Sequence, residues 1–190
     1  MTKQVLGISG AALIIAATIV AAQVSTPHRS SLDSIQQSLT GKVPHVLCLD
    51  ENFTTGGQPT GDAYITAAAN GYRSVLSLRT NAEGVDLVLE RTRVESTKMR
   101  FFNIPVNGSS PRAEQADEFL RLTRDKTNHP MLINCASGLR VGAFMMILRV
   151  VDQGWSEEKA LEEAVKIGLN NEGLKKFAKD YIAQQKAKRG

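Results

Sequence analysis

The chain has 190 residues, 42% of them hydrophobic and 22% charged, which is the composition of an ordinary folded domain and excludes disordered or collagen-like classes. Its formal net charge of +4 is too small to imply a polyanionic partner, and aromatic residues at 5% are too sparse for a base-stacking platform, so no nucleic-acid partner is expected. Lys3 precedes a mostly apolar stretch from Val5 to Ala22 that ends in small residues. Residues 1 to 22 are therefore read as a signal peptide, which implies a periplasmic or secreted protein; only an uncleaved segment would make it a membrane anchor. Residues 23 to 42, rich in Ser and Gln, read as a polar linker or N-terminal arm, and residues 43 to 190 as the folded domain.

Within that domain, strand-like runs around Val46 to Leu49 and Asn52 to Thr55 precede the turn Gly56-Gly57-Gln58-Pro59-Thr60. Tyr64, Ile65, Ala68 and Ala69 are spaced for a helix that stops at Asn70-Gly71, and Tyr72 to Leu78 follow as a strand. The spacing predicts a helix over 85–99, a strand over 101–106, and a helix opened by Ser110 as N-cap with Pro111 in its first turn. Met131 to Cys135 form a short buried strand, 141–151 a helix, and two more helices fall at 156–169 and 171–185. Alternating strands and helices imply an α/β fold, a mostly parallel central sheet flanked by helices.

In such a sheet, ligands sit beyond the carboxyl ends of the strands, where Cys135 falls. The loop after it, Ala136-Ser137-Gly138-Leu139-Arg140, leads straight into a helix, so backbone N–H groups and the positive helix end converge on one point. Such a field favours a thiolate on Cys135, while Arg140 offers a planar fork to phosphate or sulfate oxygens and Ser137 a hydroxyl. Cys135 and Arg140 are the expected catalytic pair, with Ala136, Ser137, Gly138 and Leu139 binding substrate. The bland alternative makes Cys135 a small buried hydrophobe at a strand end. His28, His45 and His129 lack metal-ligand spacing, so neither a metal nor another cofactor is expected. Arg79 reads as a solvated loop residue or a pocket-mouth cation, Gln58 and Pro59 as a structural turn or a substrate contact, and Trp155 with Met145 and Met146 as core. In an exported chain, Cys48 and Cys135 raise the prospect of a disulfide that would switch the site off.

Taken in order, GGQPT (56 to 60), SLRT (77 to 80), NIPV (103 to 106) and NCASGLRVG (134 to 142) resemble the cysteine-dependent dual-specificity and protein tyrosine phosphatase superfamily, in its bacterial phosphatase-like branch. The resemblance spans about residues 50 to 182. It implies hydrolysis of a phosphorylated protein or small molecule through a phosphocysteine on Cys135, with Arg140 and the loop amides holding the phosphoryl oxygens. The sequence departs from the family pattern at four places. Four residues separate Cys135 from Arg140 where the family has five, Asn134 replaces a histidine, Val141 replaces a hydroxyl residue, and the loop 107–111 has no carboxylate to serve as general acid, Glu114 being nearest. Without an acid, alkyl phosphates should turn over slowly. The short loop is also similar to that of rhodanese-type sulfurtransferases, which would make Cys135 a persulfide carrier, and a non-catalytic binder of phosphate or sulfate needs no acid at all.

Overall fold

The computed structural model describes residues 31–189; the expected signal peptide lies outside the described residues, as does 23–30 of the expected arm. Five strands form one sheet in the order β1-β2-β5-β3-β4: β1 Leu47–Cys48, β2 Phe53–Gly56, β3 Ser74–Ser77, β4 Arg100–Asn103 and β5 Met131–Asn134. All neighbouring pairs are parallel except β1 with β2, which are joined by a short turn and run antiparallel. Parallel strands covered on both faces should read as near-continuous apolar runs, and the central β5 does, with Met131, Leu132 and Ile133 all fully buried.

Alternation along the strands sorts the core into two layers. Leu76, Met131, Ile133 and Cys135 pack against α4 (Ala113–Arg124), α5 (Leu139–Val151), α6 (Glu157–Ile167) and α7 (Glu172–Arg189). Val75, Phe101 and Leu132 face α1 (Leu32–Leu39), α2 (Gly61–Ala69) and α3 (Leu87–Ser96). The helix α5 is buried along its whole length, from Arg140 to Val151, as expected of a helix apolar nearly all round and enclosed by its neighbours.

Two expectations are corrected. Residues 31–42 are not a loose arm: Ser31 caps α1 by accepting the Ser34 N–H, and Ile35 and Leu39, four apart on one face, are fully buried in the second core layer. Nor does α4 start at Ser110. Gln115 accepts the Arg112 N–H at 2.8 Å and donates to the Pro105 carbonyl at 2.7 Å, which fixes the first turn two residues later.

Candidate active site

Cys135 leaves the carboxyl end of β5, the central strand, and the loop it begins is held from both sides by main chain. On one side Gln58 N–H donates to the Ala136 carbonyl at 3.2 Å, and a Cβ on Gly57 would come within 2.9 Å of that same oxygen. On the other, Gly138 takes φ +97° and lies so close to the Ile167 carbonyl at the end of α6 that any side chain would collide with it. The turn 56–60 and the loop are thus one packed unit, which is the structural meaning of the GGQPT motif.

The loop places the Gly138 N–H 3.1 Å from the Cys135 sulfur. The amides of Ala136, Ser137, Leu139, Arg140 and Val141 have no internal partner among the described residues, so they remain available to an anion at the start of α5. The sulfur itself is only 1% exposed and belongs to the apolar layer beneath the loop. Asn134, where a histidine stood in the resemblance, is fully buried, and both its side-chain polar atoms lack hydrogen-bond partners.

Arg140 is bound on its outer edge. Its Nη1 donates to the carbonyls of Leu78 (3.0 Å) and Val106 (2.8 Å) and to Glu83 Oε1 (2.6 Å), while Nη2 donates to Glu83 Oε2 (2.7 Å). Burial opposes charge on this guanidinium, but Glu83 and the nearby Cys135 sulfur more than offset it, and its pKa stands above the ordinary arginine value. Hydrogen bonding from Arg140, working against burial, pulls the Glu83 carboxyl down to about 2. The same carboxylate pairs with Arg79 Nε at 2.7 Å and accepts the Thr80 N–H at 2.8 Å.

Sequence reasoning did not find Glu83. It lies 57 positions from Arg140 in a polar turn, and only its place three residues after Thr80, as a capping-box acid, marked it as ordered. Arg79 is not solvated: it is 11% exposed and bonds Gln58, which in turn donates to Glu90. Gln58 is therefore a structural bridge between β3's exit and α3. Trp155 is half-buried, not core, with Arg149 and Lys159 stacked on its ring.

Thr80, Glu83, Asn107, Arg140, Asn171 and Leu174 are among the residues lining a cavity of about 380 Å³ beside Arg140. The two cysteines are free. Cys48 lies opposite Thr54, which lies opposite Leu132, so Cys48 and Cys135 are two strands apart sideways and three residues apart along the sheet, about 14 Å in all. A disulfide needs Cα atoms within about 7 Å, so the expected off switch would require dismantling β2. Among the described residues no group of three or more His, Cys, Asp or Glu is placed to hold a metal, and no helix is long and apolar enough to cross a membrane.

Residues 33–190 match the family model described as DSP-PTPase phosphatase fused to NAD+ kinase. A β-lactamase hydrolase-like protein of Xylella fastidiosa (strain Temecula1) is 28% identical over 112 residues, 56% of this chain and 25% of that one, so the chain spans about a quarter of the length of the curated relatives it matches. Among solved structures, a DUF442 protein of Shewanella putrefaciens CN-32 assigned as a phosphatase superposes with a TM-score of 0.67 at 16% identity, covering 78% of this chain and 97% of that one. The core catalytic domain of the PP-IP phosphatase SIW14 of S. cerevisiae gives 0.63 at 16% identity, covering 73% and 86%. TpbA of P. aeruginosa gives 0.59 at 20% identity, covering 74% and 84%. These likenesses show a shared dual-specificity phosphatase fold, and by the family match the chain belongs to the cysteine-dependent phosphatase superfamily, among the DSP-PTPase phosphatases fused to NAD+ kinase.

Proposed function

We propose that this chain hydrolyses phosphate esters through a phosphocysteine on Cys135, with Arg140 and the free amides of Ala136, Ser137 and Leu139 holding the phosphoryl oxygens. The observation that carries this reading is a charge count. Two guanidiniums, Arg140, which lines the cavity, and Arg79, which does not, share the single carboxylate of Glu83, which leaves one positive charge unanswered. The thiolate and an anionic phosphoryl group together bring more negative charge than that surplus answers, so the loop amides at the start of α5 take the rest, and Glu83 acts by holding Arg140 in place with its outer edge occupied. Because the sulfur is covered, the mechanism requires that seating phosphoryl oxygens on the loop amides uncover it.

The test is hydrolysis of 4-nitrophenyl phosphate by the reduced protein, with acid-quenched samples analysed for phosphate on Cys135. Wild type turns over and Cys135→Ser does not; a pure, reduced wild type with neither turnover nor phosphocysteine would sink the proposal. The short loop still favours one rival, sulfur transfer, and labelling of Cys135 by thiosulfate as a persulfide would support that reading instead. If neither chemistry occurs but phosphate protects the fold in wild type and not in Arg140→Ala, the domain is a binder. Export, resting on the sequence of residues 1 to 22 alone, is part of the same proposal and is read from the mature N-terminus.

A further inference from the structure

Resting on the phosphocysteine reading above, we infer that Glu90 is a positioning residue for that reaction: it fixes the side-chain amide of Gln58, which holds Arg79 and through it the Glu83 carboxylate that grips Arg140. The buried face of α3 consists of Glu90 and Val94, one turn apart, so an acid occupies a position where the helix would otherwise present an apolar side chain to the core. Glu90 is 4% exposed. Its Oε1 accepts the Tyr64 hydroxyl at 2.7 Å and the Gln58 Nε2–H at 3.2 Å, both neutral donors, while its Oε2 is buried with no hydrogen-bond partner. Among the described residues no ion pair reaches it. A carboxyl group buried on these terms costs stability that a leucine at the same place would not.

What an acid supplies here, and an apolar or amide side chain does not, is a single orientation for Gln58. A carboxylate only accepts, so the Gln58 amide turns its NH2 to Glu90, which aims its Oε1 at Arg79, where it accepts from Nη1 at 3.0 Å. Burial and the Glu90 charge together raise the Tyr64 hydroxyl above its ordinary pKa, so it stays a donor to the same oxygen. A glutamine at position 90 could satisfy either orientation of Gln58. The flipped one sets N–H donors of Gln58 and Arg79 face to face and leaves Arg79 unheld at that edge.

From Gln58 two routes lead to the site. Its main-chain N–H holds the Ala136 carbonyl beside Cys135. Its side chain holds Arg79, whose Nε pairs with Glu83 Oε2 at 2.7 Å and whose Nη2 donates to the Glu83 main-chain carbonyl at 3.2 Å. Glu83 in turn meets Arg140 with both oxygens. Glu90 bonds neither Cys135 nor Arg140; it acts through Gln58, Arg79 and Glu83 in that order, each link a polar contact of 3.2 Å or less.

The experiment measures kcat and KM of the full, reduced chain on 4-nitrophenyl phosphate, and its urea midpoint, for wild type, Glu90→Gln, Gln58→Met and the double variant. Gln58→Met keeps the main-chain bond to Ala136 and removes the amide alone. Each single variant should lose about tenfold in kcat, as for one hydrogen bond, with KM within about twofold of wild type. The double variant should lose no more than Gln58→Met does, because Glu90 acts only through that amide. Glu90→Gln should also unfold at a urea midpoint no lower than that of wild type, since it removes a buried charge. A merely structural acid predicts the opposite, lost stability with kcat kept. Unchanged kcat in Glu90→Gln, or losses that multiply in the double variant, would overturn the positioning role while leaving the proposed chemistry intact. A wild type that forms no phosphocysteine in acid-quenched samples would overturn both.

Discussion

The helix α5 carries two buried arginines nine positions apart, and their surroundings are opposite. Arg149, 2% exposed, meets two carboxylates, Asp50 at 2.8 Å and Glu163 at 2.6 Å, accepts no vacancy at its remaining edge because Gln153 bonds it too, and lies over the Trp155 ring. Arg140, 7% exposed, has half a carboxylate to itself, since Glu83 also serves Arg79. Burial alone therefore does not mark function. An arginine whose charge is fully answered holds elements together, here the β1–β2 turn, α5 and α6; one whose charge is under-answered beside a cavity is set for an anion.

The sharpest way to break this comparison is at the proposed nucleophile, Cys135, and its proposed clamp, Arg140. Cys135→Ser should cut 4-nitrophenyl phosphate hydrolysis by about a thousandfold or more, because no other group in the loop can take its place. Arg140→Lys, which keeps the charge and loses the planar fork to Glu83 and the Leu78 and Val106 carbonyls, should cost about a hundredfold in kcat and lower the unfolding midpoint less than loss of Arg149 does. Arg149→Ala should do the reverse. It strands Asp50 and Glu163, so urea unfolding should show about 3–5 kcal/mol of lost stability, while kcat measured where the variant is folded stays near wild type. If Arg149→Ala loses activity as a folded protein, the division between the two arginines is wrong.

Glu83 tests the comparison from the acid side. Its carboxyl titrates near 2 in the folded chain against an ordinary value of 4.5, so its stabilising contribution is whole above about pH 4.5 and lost as pH falls through 2. Urea midpoints of wild type and Glu83→Gln should differ at pH 7 and converge towards pH 2. The smallest effect is expected at Arg121, whose ion pair with Glu118 is exposed and screened by solvent; Arg121→Ala should leave the urea midpoint essentially where it is in wild type.

Most of the fold was legible because each strand and helix carries its own period and stop signal, as with Asn70-Gly71 after α2 and the apolar run of β5. The exceptions share a physical cause. In α1 only Ile35 and Leu39 are buried and five of the other six residues are polar, and in α4 a side chain, Gln115, overrides the Ser-Pro start. At the site, Cys135 and Arg140 were visible because one loop holds both. Glu83, Arg79 and their sharing of charge were not, because the sheet brings together loops that follow β3 and β5, and no local pattern records which residues will face each other across that gap.

The clamping of the Cys135 loop by neighbouring main chain also bears on how this domain tolerates change. Ala136 presents its carbonyl to Gln58, and Gly57, Gly138 and Gly142 lie against backbone oxygens that leave no room for a methyl group, Gly142 facing the Ala164 carbonyl at 2.6 Å. In a saturation scan these three glycines should stand out as intolerant columns, while side chains within the loop, such as Ser137 and Leu139, accept wider replacement. The shape of the cradle is thus inherited through what is missing from its neighbours.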